Sequence, residues 1–222
     1  MCGRYTLTVS KSHLESYFST DVNEQSYELS YNIAPSQNVL AVIHDGKEKR
    51  VGTLKWGLVP SWSKDKKIGN KMINARLETA HEKPSFKRLM ERKRCLIVAD
   101  SFYEWKQNRE QKNPFRIHVK DRTLFTFAGL WDKWTDGVET LFTCTMLTTE
   151  ANSFMESIHH RMPIILPKDK EEEWLDPHVK RAEDAKRFLD DIQMETLEAY
   201  PVSSHVNYVK NNDAKCIEIY EQ

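Results

Sequence analysis

The chain has 222 residues, of which 39% are hydrophobic and 30% charged, and its six Trp are typical of a globular protein rather than a disordered tail. Its 33 basic and 33 acidic residues cancel, which by itself argues against a nucleic-acid-binding protein. No apolar run approaches the length of a membrane span, and residues 1–30 lack the layout of a signal peptide. We therefore expect one domain over residues 1–222, located in the cytoplasm, without membrane contact.

The charge is unevenly distributed along the chain. Residues 1–120 carry 22 Lys and Arg against 13 Asp and Glu, whereas residues 121–222 carry 11 against 20. This asymmetry predicts a basic surface supplied by the first half. Because half of a sequence need not form one face, a mixed solvated surface is the alternative.

The first residues hold an unusual nucleophile, Cys2. Removal of Met1, expected when a small residue follows, leaves a free α-amine and a thiol on one residue. This 1,2-aminothiol can condense with an aldehyde to a Schiff base, which the sulfur then closes to a thiazolidine ring. The unperturbed pKa values, about 7.7–8.0 for the amine and about 8.5 for the thiol, leave both reactive forms available near neutrality. A Cys near a start codon without any role is the alternative.

The next elements are short. Ser12-x-x-Glu15 has the form of a capping box and predicts an N-terminal helix. The β-rich runs 38–43 and 51–56, joined through Asp45-Gly46, predict a hairpin.

Two Trp flank the Gly- and Pro-containing stretch that follows the hairpin. We interpret Trp56 as a core residue. Trp62 precedes Lys64, Lys66 and Lys67, and an exposed aromatic beside lysines can stack on a nucleobase, a contact worth about 1–3 kcal/mol. A solvated lysine loop is the alternative.

Residues 100–106 alternate as a strand, with Phe102, Glu104 and Lys106 on one face. Large aromatics flank Glu104, so desolvation could raise its pKa to a value useful in acid–base catalysis. A carboxylate on the wet face of an antiparallel sheet is equally compatible with the pattern.

The remainder reads as further strands and helices. A basic helical segment begins near Pro84, an acidic helical tail spans Lys168 to Glu198, and the strand-like runs are 94–98, 115–119, 124–131, 141–148, 202–203 and 216–219. Many short strands with few helices predict an α+β fold with an antiparallel, barrel-like β-sheet core and flanking helices.

The four cysteines are widely separated, and we expect neither disulfides nor a metal site. Cys95 and Cys144 lie in apolar runs, where a free Cys is usually a small core residue. The chain has no C-x-x-C pair, and no second His or Cys pair lies at ligand spacing from His159-His160.

Six ordered motifs then stand out over nearly the whole chain: Met1-Cys2-Gly3-Arg4-Tyr5, Tyr31-Asn32-Ile33-Ala34-Pro35, Trp56-Gly57-Leu58-Val59-Pro60, Asn74-Ala75-Arg76-x-Glu78, Phe102-Tyr103-Glu104-Trp105 and Ile158-His159-x-Arg161-Met162-Pro163. Together they resemble the SOS-response-associated peptidase (SRAP) family. One departure is Ser101, where the family commonly has Gly.

The resemblance implies a sensor of abasic sites in single-stranded DNA that crosslinks itself to the lesion through its N-terminal cysteine. It implies that Cys2 is the nucleophile, that Asn74 and Glu104 surround it, and that His159 stabilises and later works on the linkage. The expected DNA-binding residues are Arg4, Pro35, Trp62, Arg76 and Arg161. The expected partner is single-stranded DNA containing abasic sites, bound by a monomer without a cofactor.

Two other functions stay open on the sequence. The first is an autoproteolytic cysteine peptidase that removes its own Met1, with Cys2, His159 and Glu104 as nucleophile, base and orienting residue. The second is a passive single-strand binder that uses Trp62 and the lysines, whose binding would be salt-labile and never covalent.

Overall fold

A computed structural model describes residues 2–23, 27–107 and 112–221 of the chain. In these ranges the strands are β1 Tyr5–Leu7, β2 Ser30–Ile33, β3 Asn38–His44, β4 Lys49–Trp56, β5 Asn74–Arg76, β6 Arg94–Ala99, β7 Ser101–Gln107, β8 Lys112–Val119, β9 Phe125–Thr135, β10 Thr140–Glu150, β11 Arg161–Pro163, β12 Ile165–Leu166 and β13 Leu197–Pro201. The α-helices are α1 Lys11–Phe18, α2 Leu77–Ala80, α3 Pro84–Arg92, α4 Ser153–Glu156, α5 Glu171–Leu175 and α6 Ala182–Asp190. None of the helices within these ranges combines the length and the apolar character needed to cross a membrane.

The centre of the molecule is a closed barrel of five strands in the order β10-β4-β3-β6-β9, sealed where β9 pairs with β10. The predicted α+β class and the barrel-like core are confirmed. One detail differs from an all-antiparallel sheet, because β10 runs parallel to both β4 and β5. A long stretch of chain separates β10 from these strands, so their pairing is free of the antiparallel constraint that a tight hairpin imposes.

A second sheet, in the order β13-β8-β7-β1-β2, is antiparallel throughout. It packs on the barrel through aromatic side chains: the ring of Tyr5 lies 5.4 Å from that of Trp56 and 5.8 Å from that of Phe127. These rings are buried, so Trp56 is the core residue that the sequence predicts. The contact places β1, an inner strand of the second sheet, against the barrel.

The local predictions differ from the structure in three places. The N-terminal helix forms, but its cap is Ser10, whose side chain accepts a hydrogen bond from the His13 backbone N–H. The predicted continuous helix over 168–198 is wrong. It is divided into α5 and α6 near Pro177, which cannot continue a helix, and it is followed by β13 on the edge of β8. Strands over 202–203 and 216–219 reduce to a single bridge between Val202 and Ile219.

Candidate active site around Cys2

The short strand β1 determines the position of Cys2. Tyr5 pairs with Phe102 of β7, and the Tyr103 N–H donates to the Arg4 carbonyl at 2.9 Å, so the ladder continues toward the chain start. Continued toward the chain start, this register places Gly3 opposite Glu104, and Cys2 precedes Gly3. Cys2 is fully buried there, and its Sγ lies 3.8 Å from the Arg4 carbonyl oxygen.

Glu104 is a buried carboxylate beside this thiol, with 3% of its surface exposed. This burial excludes the alternative of a wet sheet face. Burial raises the pKa of Glu104. Burial, and secondly the charge of Glu104, raises the pKa of the Cys2 thiol well above its ordinary value. The Glu104 carboxylate thus disfavours ionisation of the Cys2 thiol, as a negative charge beside an acid in an apolar site does.

Asn74 holds the backbone of Cys2. Its side-chain amide donates to the Cys2 carbonyl at 2.8 Å. The position of Asn74 depends on two glycines upstream, since a Cβ on Gly57 or on Gly69 would lie 2.7 Å from the carbonyl oxygen of the other. Gly57 also has a φ of +131°, which other residues rarely adopt. The close approach of the Gly57 and Gly69 backbones lets the chain turn back after β4 and begin β5 at Asn74.

His159 lies at the margin of this site. Its Nδ1 is 3.0 Å from the Arg161 backbone nitrogen, and its ring stacks on that of His160 with the centroids 4.4 Å apart. Burial lowers the pKa of His159, which keeps the imidazole neutral near pH 7. His160 is exposed and acts electrostatically on Glu104, so both histidines belong to the surroundings of the carboxylate.

Arg76 is exposed on the same side of the site. It follows Asn74 by two residues in β5, and the period of two in a strand puts both side chains on one face. Its positive charge also acts on the exposed His160. Arg76 is therefore placed where a phosphate approaching Cys2 could be bound.

Arg161 is buried and already paired. Its guanidinium donates to both carboxylate oxygens of Glu78, at 2.7 and 3.0 Å, and to the Thr148 carbonyl at 2.9 Å. Although partial burial opposes it, hydrogen bonding from Arg161 lowers the pKa of Glu78. Direct DNA binding by Arg161 stays a prediction, and in this geometry the residue fixes β11, which begins directly after the two histidines.

Arg4 is also used within the protein. Its Nη1 donates to Asn32 Oδ1 at 2.6 Å and to the Val206 carbonyl at 2.7 Å, and its guanidinium lies 5.7 Å from the centroid of the Trp105 ring. The predicted phosphate contact by Arg4 stays a prediction. The sequence did not reveal that Arg4 connects the start of β1 to the C-terminal segment. The only signal was that its partner Asn32 lies in the motif Tyr31-Asn32-Ile33-Ala34-Pro35.

Trp62 and Pro35 lie in loops outside the immediate contacts of Cys2. Trp62 is 61% exposed and borders a cavity of about 150 Å³ lined in part by Arg88 and Arg92 of α3. Its loop is fastened by Asp132, which accepts a 2.7 Å hydrogen bond from the Ser61 N–H. Pro35 is half-buried in the turn after β2.

The predicted basic surface is only partly realised. Several basic residues of the first half meet acids of the second: Lys66 lies 2.6 Å from Glu139, and Lys93 lies 2.6 Å from Asp132. Arg94 is buried and donates to backbone carbonyls. The exposed remainder includes Arg76 and the arginines of α3.

The fold and site together define a class of protein in which a cysteine at the start of the chain is held between a side sheet and a barrel, against a buried carboxylate. Within that class the family is given by sequence: a family model described as SOS response associated peptidase (SRAP) matches residues 1–209, and the chain belongs to this family.

Relatives and solved structures agree. The chain is 50% identical over 222 residues to "Abasic site processing protein YoaM" of Bacillus subtilis, covering 98% of each chain. It is 33% identical over 229 residues to "Abasic site processing protein HMCES" of Xenopus tropicalis, covering 89% of this chain and 68% of that relative. A crystal structure of a Bacteroides thetaiotaomicron protein, 25% identical, superposes with a TM-score of 0.84 over 99% of this chain and 100% of the other.

Proposed function

We propose that this protein processes abasic sites in single-stranded DNA by forming a covalent thiazolidine crosslink through Cys2 once Met1 is removed. The observation that carries the proposal is the contact set at Cys2. Asn74 holds the backbone carbonyl of Cys2, and the charge of the buried Glu104 acts on the Cys2 thiol, in a chain 50% identical to a protein named for abasic-site processing.

The open form of an abasic sugar is an aldehyde, and its reaction with a 1,2-aminothiol balances simply. The α-nitrogen attacks the aldehyde carbon, the carbonyl oxygen leaves as water with one proton from the nitrogen and one from an acid, and an iminium forms. The sulfur then bonds to the iminium carbon, the C=N electron pair returns to nitrogen, and the thiol proton passes to a base. Ring closure removes the iminium that would otherwise drive β-elimination and strand cleavage, so the crosslink shields the lesion.

Glu104 suits the proton transfers of this sequence. Departure of water from the carbinolamine needs an acid, and closure by sulfur needs a base for the thiol proton. A carboxyl whose pKa is raised by burial exchanges protons near neutral pH more readily than a solvated one. We assign Glu104 both roles, with Asn74 orienting the Cys2 backbone.

His159, which is neutral and half-buried, is assigned to opening of the sugar or to reversal of the linkage. Arg76 is assigned to a phosphate beside the lesion, and Trp62 to stacking on a neighbouring base. The protein is expected to act as a monomer.

The deciding experiment is intact-mass analysis after mixing the protein with a single-stranded oligonucleotide that contains one abasic site. We expect an adduct equal to protein without Met1 plus DNA minus one water. A cysteine peptidase would cleave peptides without DNA and give no adduct, and a passive binder would give salt-labile complexes alone. Absence of any adduct from protein shown to lack Met1 would contradict the proposal.

A further inference from the structure

The C-terminal segment brings together three side chains with metal-binding chemistry that the spacing of the sequence does not suggest. His205, Asp213 and Cys216 each present a ligand atom, and these atoms lie within 4.8 Å of one another. The His205 Nε2 is 3.1 Å from Asp213 Oδ2. We propose that these residues form a binding site for a divalent transition metal of the Zn²⁺ class, separate from the Cys2 site.

Two short 3-10 helices build the cluster. Ser204–Asn207 carries His205, while Ala214–Cys216 is capped by the Asp213 side chain and ends at Cys216. The turn between them folds back through the Cys216 Sγ, which donates to the Asn211 carbonyl at 3.4 Å. The three ligands therefore belong to one twelve-residue stretch that is already folded on itself.

The donor set selects the metal. One thiolate, one imidazole and one carboxylate suit Zn²⁺ or Co²⁺ in tetrahedral geometry, whereas Mg²⁺ and Ca²⁺ prefer oxygen donors alone. Cys216 is fully buried, His205 is 31% exposed and Asp213 is 53% exposed, so a metal would have sulfur beneath it and solvent above it. Water would supply the fourth ligand. Binding releases the Cys216 thiol proton to solvent, and the bound thiolate and carboxylate then neutralise the divalent cation.

Asn211 supports the imidazole from the other side. Its side-chain nitrogen lies 3.1 Å from His205 Nδ1. The same amide nitrogen donates to the His205 carbonyl at 2.8 Å, so Asn211 fixes the residue that carries the imidazole.

The site is tied to the nucleophile by a short path. Val206, next to His205, accepts the hydrogen bond from Arg4, and the Asn211 carbonyl accepts one from Asn32 at 2.7 Å. Arg4 and Asn32 are themselves bonded at 2.6 Å. A metal joining the two 3-10 helices would stiffen the segment that Arg4 holds, two residues from Cys2.

The test is titration of the full-length protein, freed of metal by a chelator, with Co²⁺. We expect one equivalent to produce the thiolate-to-cobalt charge-transfer band and the visible bands of tetrahedral Co²⁺, and Zn²⁺ to abolish both. Cys216→Ser should remove the charge-transfer band. His205→Gln and Asp213→Asn should weaken metal binding by at least about tenfold. Loss of a residue that only supports a metal ligand already costs about 10–100-fold in affinity, and these two residues are proposed as ligands themselves. Zn²⁺ should raise the Tm of the wild type more than that of any of these variants.

The chain offers matched controls. His178 and Asp176 form an exposed imidazole–carboxylate pair at 2.8 Å, and His178→Gln should leave the titration unchanged. Cys2→Ser should keep the charge-transfer band. A band that survives Cys216→Ser, or a folded wild-type protein that takes up no Co²⁺ or Zn²⁺ in excess, would overturn the proposal. If Cys216→Ser fails to fold, His205→Gln provides the test, because His205 is partly exposed and its replacement disturbs the fold less. A metal affinity of His205→Gln equal to that of the wild type would also overturn the proposal.

Discussion

Cys2 and Cys144 are both fully buried, and burial raises the pKa of both thiols, yet their surroundings differ. Cys144 lies mid-strand in the barrel, paired with Trp56 on one side and Trp131 on the other. Cys2 lies at the end of the chain, with Glu104 acting on its thiol and Asn74 holding its carbonyl.

The comparison teaches that burial of a thiol does not by itself indicate function. Desolvation suppresses the thiolate at both positions and would make both inert in isolation. Two features distinguish Cys2. The carboxyl group of Glu104 can transfer protons beside it, and removal of Met1 would convert its backbone nitrogen into a free amine. The proposed reactivity therefore depends on its neighbours and its place in the chain.

The largest expected effect comes from changing Cys2 itself. Protein that retains Met1 should form no crosslink, because its Cys2 nitrogen is an amide, while noncovalent DNA binding survives. Cys2→Ala lacking Met1 should give only a Schiff base that borohydride traps, with more strand cleavage. Gel analysis with and without borohydride measures both. Cys144→Ala is the control and should crosslink at the wild-type rate; a full-rate adduct from Met1-bearing protein would refute the mechanism.

Glu104→Gln should slow crosslinking by about 10²–10⁴-fold, the usual range for loss of a general acid–base group. Because burial raises the pKa of Glu104, its acid form persists to higher pH than in water, and the acid-dependent rate falls as pH rises through that pKa. Gln cannot titrate, so this limb of the pH–rate profile should vanish. Glu150→Gln, an exposed carboxylate at the end of β10, is the control. An unchanged rate and pH profile for Glu104→Gln would return Glu104 to a structural role.

His159→Gln should have a smaller effect, about 100-fold at most, on opening of the sugar or reversal of the adduct. Burial lowers the pKa of His159, so its contribution as a neutral base should persist below the ordinary histidine pKa of about 6.5. The measurement is adduct reversal against pH. His160→Ala serves as the comparison, and a larger defect there would reverse the assignment.

Arg76→Ala should weaken noncovalent binding to all single strands alike and reduce the slope of log K against log salt by about one. Binding titrations at several salt concentrations test this. Arg181→Ala is matched in charge and exposure but lies at the start of α6, away from β5, and should leave the slope unchanged. Equal slopes for Arg76→Ala and wild type would remove Arg76 from the DNA groove.

The smallest effect on crosslinking is expected from a change in the barrel core at Gly129, next to the buried thiol of Cys95. A Cβ on Gly129 would lie 2.8 Å from Cys95 Sγ, so Gly129→Ala should lower the free energy of unfolding by about 1–3 kcal/mol through overpacking. Crosslinking by the folded fraction should stay at the wild-type rate. Denaturant midpoints and crosslinking rates measured on the same samples separate the two effects, and a slower reaction would mean that the barrel core is coupled to Cys2.

The sequence carried the local information well where it depends on periodicity. The strand around Glu104, the Asp45-Gly46 turn and the core position of Trp56 were all predictable because each is encoded within a few residues. It failed where a distant partner decides. The tail over 168–198 looked helical throughout, and only the free edge of β8 makes its end a strand.

For the site, the chemistry of the individual residues followed from the sequence, since an aminothiol, a carboxyl and an imidazole act alike in any chain. The sequence left open whether the Glu104 carboxylate is buried or exposed to solvent. Packing of the second sheet on the barrel buries it. The partners of the arginines were also undetermined, because Glu78 lies 83 residues from Arg161, and Val206 lies 202 residues from Arg4. Such contacts exist only after the chain has closed its long loops, so only the tertiary structure could assign these arginines to positions within the protein.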